Sequence, residues 1–111
     1  MGLSAERAAE NESIFRDANE RVEQQLGELT LEEGRSPFLC ECEEIGCRAM
    51  IRLTREEYEG VRSRPNRFVV VPGHPFTEAQ VVEEGDRFLV IEKVGEAGAI
   101  AADLDPRGGG R

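Results

Sequence analysis

The sequence predicts an α+β fold: a small antiparallel sheet with a central helix and an N-terminal amphipathic helix, stapled by a metal site. Three observations predict it. The first thirty residues carry a single helical period. Short apolar runs bounded by turn residues follow. All three cysteines and the only histidine can serve one four-ligand site.

The chain has 111 residues, which predicts one domain. Aromatic residues are only 5% of it and there is no Trp, so the core is small and gains from a staple such as a structural metal. The formal net charge is −9. That disfavours a general nucleic-acid binder, which needs Lys or Arg excess, and an anionic membrane surface. No apolar run is long enough to span a bilayer. The polar, acidic N-terminus has no signal-peptide core, so a cytoplasmic protein is expected.

Taken in order, residues 1–36 are expected to be the N-terminal helix and a linker. Ser4 or a neighbour caps a helix from about Ala5, with Phe15, Ala18, Val22, Leu26 and Leu29 recurring at steps of three and four. It ends at Gly27, or continues with a break to Gly34. The stripe docks on its own domain, forms a coiled-coil arm with Ala8, Phe15, Val22 and Leu29 at the a positions, or belongs to a mobile helix that waits for a partner. Asn11 and Gln25 at d weaken the second option. Arg35-Ser36-Pro37 reads as linker. Residues 37–104 are expected to be the metal-stapled domain. Phe38–Cys42 is a strand, Glu43–Gly46 a turn and Cys47–Leu53 the returning strand. Thr54-Arg55-Glu56-Glu57 is a capping box for a helix to about Arg64, with Tyr58 and Val61 inward and Pro65 as the stop. Phe68–Val71 is a buried strand and Pro72-Gly73-His74-Pro75 a rigid turn. Gln80–Glu84 and Arg87–Val94 form a hairpin, and a short helix covers Ala97–Leu104. Residues 105–111, with three consecutive glycines, are expected to be a disordered tail.

Charge is uneven along the chain. Residues 48–67 carry 6 basic and 3 acidic groups between acidic flanks. Either the acidic N-terminal helix lies over this segment, or Arg48, Arg52, Arg55, Arg62, Arg64 and Arg67 form an anion site.

The chemistry centres on Cys40, Cys42, Cys47 and His74. Residues two apart in an extended segment share a face, so Cys40 and Cys42 reach one ion. Gly46 is expected to let the chain turn sharply and return Cys47. His74 arrives from a distant loop stiffened by Pro72 and Pro75. Three thiolates and one imidazole make a tetrahedral set that suits Zn2+, one per chain. An odd number of cysteines, two separated by one residue, fits a metal better than disulfides. The alternatives are ordinary buried cysteines or an iron–sulfur cluster with one His ligand. Glu41, Glu43 and Glu44 are expected as solvated turn residues. They would act as a base only if His74 left the metal open to water.

Phe38–Cys42, Cys47, Glu56–Arg62, Arg67–His74, Val90–Ala97 and Asp105–Arg107 resemble an uncharacterised group of short acidic proteins of GC-rich bacteria, as does the helix at Asn11–Arg21. The resemblance covers nearly the whole chain. It implies that the three cysteines and His74 form one unit, and it implies no activity, substrate or partner.

The expected function is a small zinc-binding protein with a structural three-Cys-one-His site, acting as a protein-interaction or regulatory module. The partner would be another protein, or a second copy meeting through the N-terminal helix. A thiol/zinc redox sensor is the alternative, followed by a metal-dependent hydrolase. No metalloprotease, P-loop or serine-hydrolase motif is present, so no enzyme is expected.

Overall fold

The structure is a computed structural model and describes residues 4–26, 34–44 and 46–107. Its order is α1 (Ala5–Leu26), β1 (Arg35–Leu39), β2 (Met50–Thr54), α2 (Arg55–Val61), β3 (Arg67–Val70), β4 (Ala79–Glu84), β5 (Leu89–Lys93) and α3 (Gly95–Asp103). β1 and β2 form an antiparallel pair. A second antiparallel sheet runs β3-β5-β4. The α+β class is as expected, but with two small sheets in place of one.

β1 begins earlier than Phe38. Arg35-Ser36-Pro37 is strand and not linker, with Pro37 opposite Arg52. Ser36 and Phe38 turn inward while Arg35 and Pro37 face out. Pro is tolerated there because the strand lies at a sheet edge. The strand also stops earlier, because the chain changes partner. Cys40 makes the last bond of the β1–β2 ladder, its N–H donating to the Ala49 carbonyl at 3.1 Å, and the Glu41 N–H donates instead to Val69 at 2.7 Å. The segment after β1 therefore stitches one sheet to the other. β2 starts at Met50 and not at Cys47, since residues 47–49 serve the ligand loop.

Thr54 caps α2 as expected. The Glu57 N–H donates to Thr54 Oγ1 at 3.0 Å and the Thr54 N–H to Glu57 Oε1 at 2.9 Å. Tyr58 and Val61 are buried, and Tyr58 stacks on Phe38 with ring centroids 4.6 Å apart. α2 ends at Val61, short of Arg64, where the Ser63 hydroxyl bonds the Gly60 carbonyl. Phe38, Leu53, Tyr58, Phe68, Val69 and Ile91 anchor a continuous apolar core.

α1 is described to Leu26 and lies against β1 and α3, and the expected end at Gly27 or continuation towards Gly34 falls on residues 27–33, outside the described residues. The face it buries is not the expected one. Phe15, Ala18 and Val22 are only half-buried; the Leu26 side chain and Leu29 lie outside the described residues. Buried instead are Ala8, Ala9, Glu12, Ser13, Arg16, Asn19 and Glu23. Polar side chains can hold a buried face when each finds a partner. Lys93 Nζ sits 3.0 Å from Glu12 Oε1, both side chains fully buried, and also donates to the Thr77 carbonyl. Arg16 donates to the carbonyls of Pro65 at 2.7 Å and Ala101 at 2.9 Å while lying over the Phe68 ring. Asn19 caps the open edge of β1 like a missing strand. It accepts the Leu39 N–H at 2.7 Å and donates back to the Leu39 carbonyl at 2.9 Å.

α3 packs so closely on the end of β5 that a Cβ at Gly98 would lie 2.8 Å from the Lys93 carbonyl oxygen. Of the expected tail, residues 105–107 are described. Asp105 pairs with Arg62, and Arg107 reaches Glu20, Glu23 and Glu59 across α1 and α2. Residues 108–111 lie outside the described residues.

Candidate metal centre

Two loops meet to build the site. The first is the mouth of the β1–β2 hairpin, where the Cys47 N–H closes a turn onto the Glu44 carbonyl at 2.9 Å. Gly46 is exposed there, and a Cβ on it would meet nothing within 4 Å. It is not among the glycines with left-handed backbone, so the expected need for glycine at the turn is corrected. The second loop follows β3. The His74 N–H donates to the Val71 carbonyl at 3.0 Å, Pro72 takes the second position, and Gly73 holds φ +92° at the third. That is a type II turn, whose third residue requires the left-handed region. Nothing crowds Gly73, so backbone conformation alone demands glycine there.

These loops bring Cys40, Cys42, Cys47 and His74 together. Their ligand atoms all lie within 4.8 Å of one another. His74 Nδ1 is 3.4 Å from Cys40 Sγ and 3.6 Å from Cys47 Sγ. Around a tetrahedral ion with ordinary zinc–sulfur and zinc–nitrogen bonds, sulfur and nitrogen ligands stand about 3.5 Å apart. His74 Nδ1 stands at that spacing from Cys40 and Cys47. Cys40 and Cys42 are buried, while Cys47 and His74 are half-buried.

The electrostatics fit a cation. Burial raises the Cys40 and Cys42 thiols; Cys42 and Cys47 add to the rise at Cys40, and Cys47 adds to it at Cys42 while Cys40 opposes it there. Such thiols ionise when a divalent ion sits among them. Backbone donors oppose the shift: the Val71 N–H lies 3.3 Å from Cys40 Sγ and the Glu44 N–H bonds Cys42. The same donors suit coordinated thiolate. The residues present can therefore bind a metal ion.

The acidic residues of the loop are not uniformly solvated, which corrects the expectation. Glu41 is fully buried. Its Oε1 accepts the Val69 N–H at 3.0 Å and its Oε2 accepts Asn19 Nδ2 at 2.8 Å. Burial pushes its carboxyl up to about 7, against the pull of those two donors. Glu43 is half-buried. Its Oε1 accepts the Thr77 hydroxyl at 2.6 Å and its carbonyl accepts Asn11 Nδ2 at 3.2 Å. Only Glu44 is exposed. It lines an open cleft of about 460 Å³ with Cys47, Arg48 and His74.

The six arginines are divided among different tasks. Arg62 is buried, bonded to Glu20 at 3.2 Å and to Asp105. Arg55 lies 3.5 Å from Glu23, and Arg67 pairs with Glu92 at 3.0 Å. Arg48, Arg52 and Arg64 are exposed, and of the six only Arg48 lines the cleft. Glu20 and Glu23 of α1 thus neutralise part of the basic segment.

Reading the sequence missed Glu12, Arg16, Asn19 and Lys93. Positions 8, 12, 16, 19 and 23 follow a helical step as regular as the apolar one, and Lys93 is the only lysine. Both signals were present, but a buried polar stripe looks like a solvated face until its partners are known. No membrane-crossing helix, long and apolar enough to span, occurs among the described residues. No family model matches the chain, and no curated protein and no solved structure is similar to it.

Proposed function

We propose that this protein binds one zinc ion per chain through Cys40, Cys42, Cys47 and His74, and that the ion is structural. The observation that carries this is the approach of four soft or borderline ligand atoms to within 4.8 Å, with no fifth protein ligand needed. A closed set of four leaves no position for a reacting water, and so favours a staple over a catalyst. The ion would clip the hairpin mouth to the turn after β3, joining the two sheets. On this reading the protein is a cytoplasmic interaction or regulatory module and not an enzyme, in a compartment that keeps thiols reduced. Native mass spectrometry with metal analysis tests it on protein purified without added metal. One zinc per chain is expected, with a lower unfolding temperature after chelation. A metal-free chain with three titratable thiols and an unchanged unfolding temperature would sink it.

One observation favours a second reading, a thiol/zinc redox sensor: Cys47 is half-exposed at the cleft. Peroxide would oxidise its thiolate to sulfenic acid and release hydroxide. A second cysteine thiolate would then displace a second hydroxide, leaving a disulfide and freeing zinc. Zinc release at modest peroxide supports this reading, and full zinc retention removes it.

A further inference from the structure

We propose that Asn19 and Asn11 are positioning residues of the metal centre, so that docking of α1 and occupancy of the site strengthen one another. The proposal rests on the four ligands being a metal site. It concerns what holds them in place.

The argument begins with alternation. In the extended segment after β1, Cys40 and Cys42 supply sulfur to the cluster, and the residues flanking them face elsewhere. α1 grips those flanking residues. Asn19 exchanges two hydrogen bonds with the Leu39 backbone, at 2.7 and 2.9 Å, and donates to Glu41 Oε2 at 2.8 Å. Asn11 donates to the Glu43 carbonyl at 3.2 Å. Leu39 and Glu41 are the chain neighbours of Cys40; Glu41 and Glu43 are those of Cys42. Both neighbours of both cysteines are therefore held by one helix that, among the described residues, makes no hydrogen bond to a ligand atom.

The contacts continue to the other half of the site. Glu41 is bonded to Val69 twice, N–H to carbonyl at 2.7 Å and carboxylate to N–H at 3.0 Å. Two residues on, the Val71 N–H points at Cys40 Sγ and the Val71 carbonyl fixes the His74 turn. Asn19, buried and saturated, thus stands at the head of a hydrogen-bonded path reaching both ligand loops. Partners of this outer kind typically change metal affinity by 10–100-fold.

Little of what α1 buries fully is apolar: Ala8 and Ala9 among the described residues, with Val22 partly buried against the core. Its inward face holds Glu12, Ser13, Arg16, Asn19 and Glu23. Ser13 Oγ and Arg16 Nε have no hydrogen-bond partner among the described residues. Burying such groups offsets much of the gain from docking. Undocking would separate Glu12, Glu20 and Glu23 from Arg55, Arg62, Lys93 and Arg107, breaking five ion pairs. By linkage, any factor by which docked α1 tightens metal binding is the factor by which metal tightens α1.

The test measures zinc affinity, by competition with a chromophoric chelator, beside unfolding temperature. Asn19→Ala should weaken zinc about tenfold or more. Asn19→Asp should weaken it further, because a second carboxylate would face Glu41. Asn11→Ala, a milder change, keeps the test readable if Asn19 variants do not fold. Arg16→Met is the control. It removes α1 contacts to Pro65, Ala101 and Phe68 but none to the segment carrying Cys40 and Cys42, so it should lower the unfolding temperature while α1 stays docked and zinc affinity stays within about threefold. Zinc should also raise amide-exchange protection across residues 5–26 in the parent chain, and less so in Asn11→Ala. Unchanged zinc affinity in the asparagine variants overturns the proposal, as does an equal loss in Arg16→Met. A parent chain that takes up no zinc overturns the metal reading itself, and native mass distinguishes that result from the others.

Discussion

Two helices are fastened to this domain by opposite chemistry. α2 spans 7 residues and is held by burial of Tyr58 and Val61 against Phe38, after a Thr54 capping box fixes its start. α1 spans 22 residues and is held by a buried file of Glu12, Arg16, Asn19 and Glu23. Apolar packing is non-directional and tolerates small shifts. The α1 seam is directional, because Glu12, Arg16, Asn19 and Glu23 each have a named partner at hydrogen-bond distance and lose it if the helix moves by a fraction of a turn. A short helix can therefore be a fixed part of the core, while a long one is specified closely but gains less from being buried.

The largest effect should come from the apolar seam. Phe38→Ala removes a fully buried ring and its stack on Tyr58, and should cost about 3–5 kcal/mol in denaturant unfolding. A loss under about 1 kcal/mol would mean that α2 is held by its cap instead. The polar seam should respond differently to single and double change. Glu12→Ala leaves the Lys93 ammonium buried without its carboxylate, and should cost about 3 kcal/mol. Glu12→Leu with Lys93→Met, which replaces the pair by apolar side chains, should fall within about 1 kcal/mol of the parent or exceed it. If the double variant is as unstable as the single, the pair is a net source of stability and the contrast between the seams fails.

pH sharpens the same comparison. Burial raises Glu12 from 4.5 to about 7, with Lys93 opposing and Glu43 and Glu41 adding to the rise. The folded chain then binds more protons than the unfolded one between those values. The stability contributed is complete below about 4.5 and is lost as pH rises through 7. Glu12→Gln cannot ionise, so the stability gap between it and the parent should narrow from pH 4.5 to pH 7. A gap that widens would show that the ion pair outweighs burial. The smallest effect should come from the cap: Thr54→Ala leaves the Glu57 N–H without its acceptor, and should cost about 1 kcal/mol with α1 protection unchanged.

The elements governed by short-range rules were legible in the sequence. Thr54 and Glu57 declare the start of α2, and Pro72-Gly73 the turn that presents His74. Strand boundaries were less so. Where β1 stops depends on Val69, thirty residues away, taking over the backbone of Glu41. The four candidate metal ligands could be named because they exhaust the cysteines and histidines of the chain. The role of Glu41 could not, since the same carboxylate in the same loop would be solvated if α1 packed elsewhere.

The sequence by itself determined which residue types could bind a metal, where turns and caps fall, and that the first helix is amphipathic. Each of these follows from chemistry within a few residues, or from simple scarcity of Cys and His. Only the tertiary structure decided which face of α1 points inward. Hydrophobicity ranks side chains by their cost in an apolar medium, and that ranking fails where the interior supplies a partner for each polar group. Lys93, Ala101 and the Leu39–Glu41 segment supply those partners from three separate parts of the chain. No local pattern announces them, because the hydrogen bonds that make Glu12, Arg16 and Asn19 tolerable inside form only once those parts have come together.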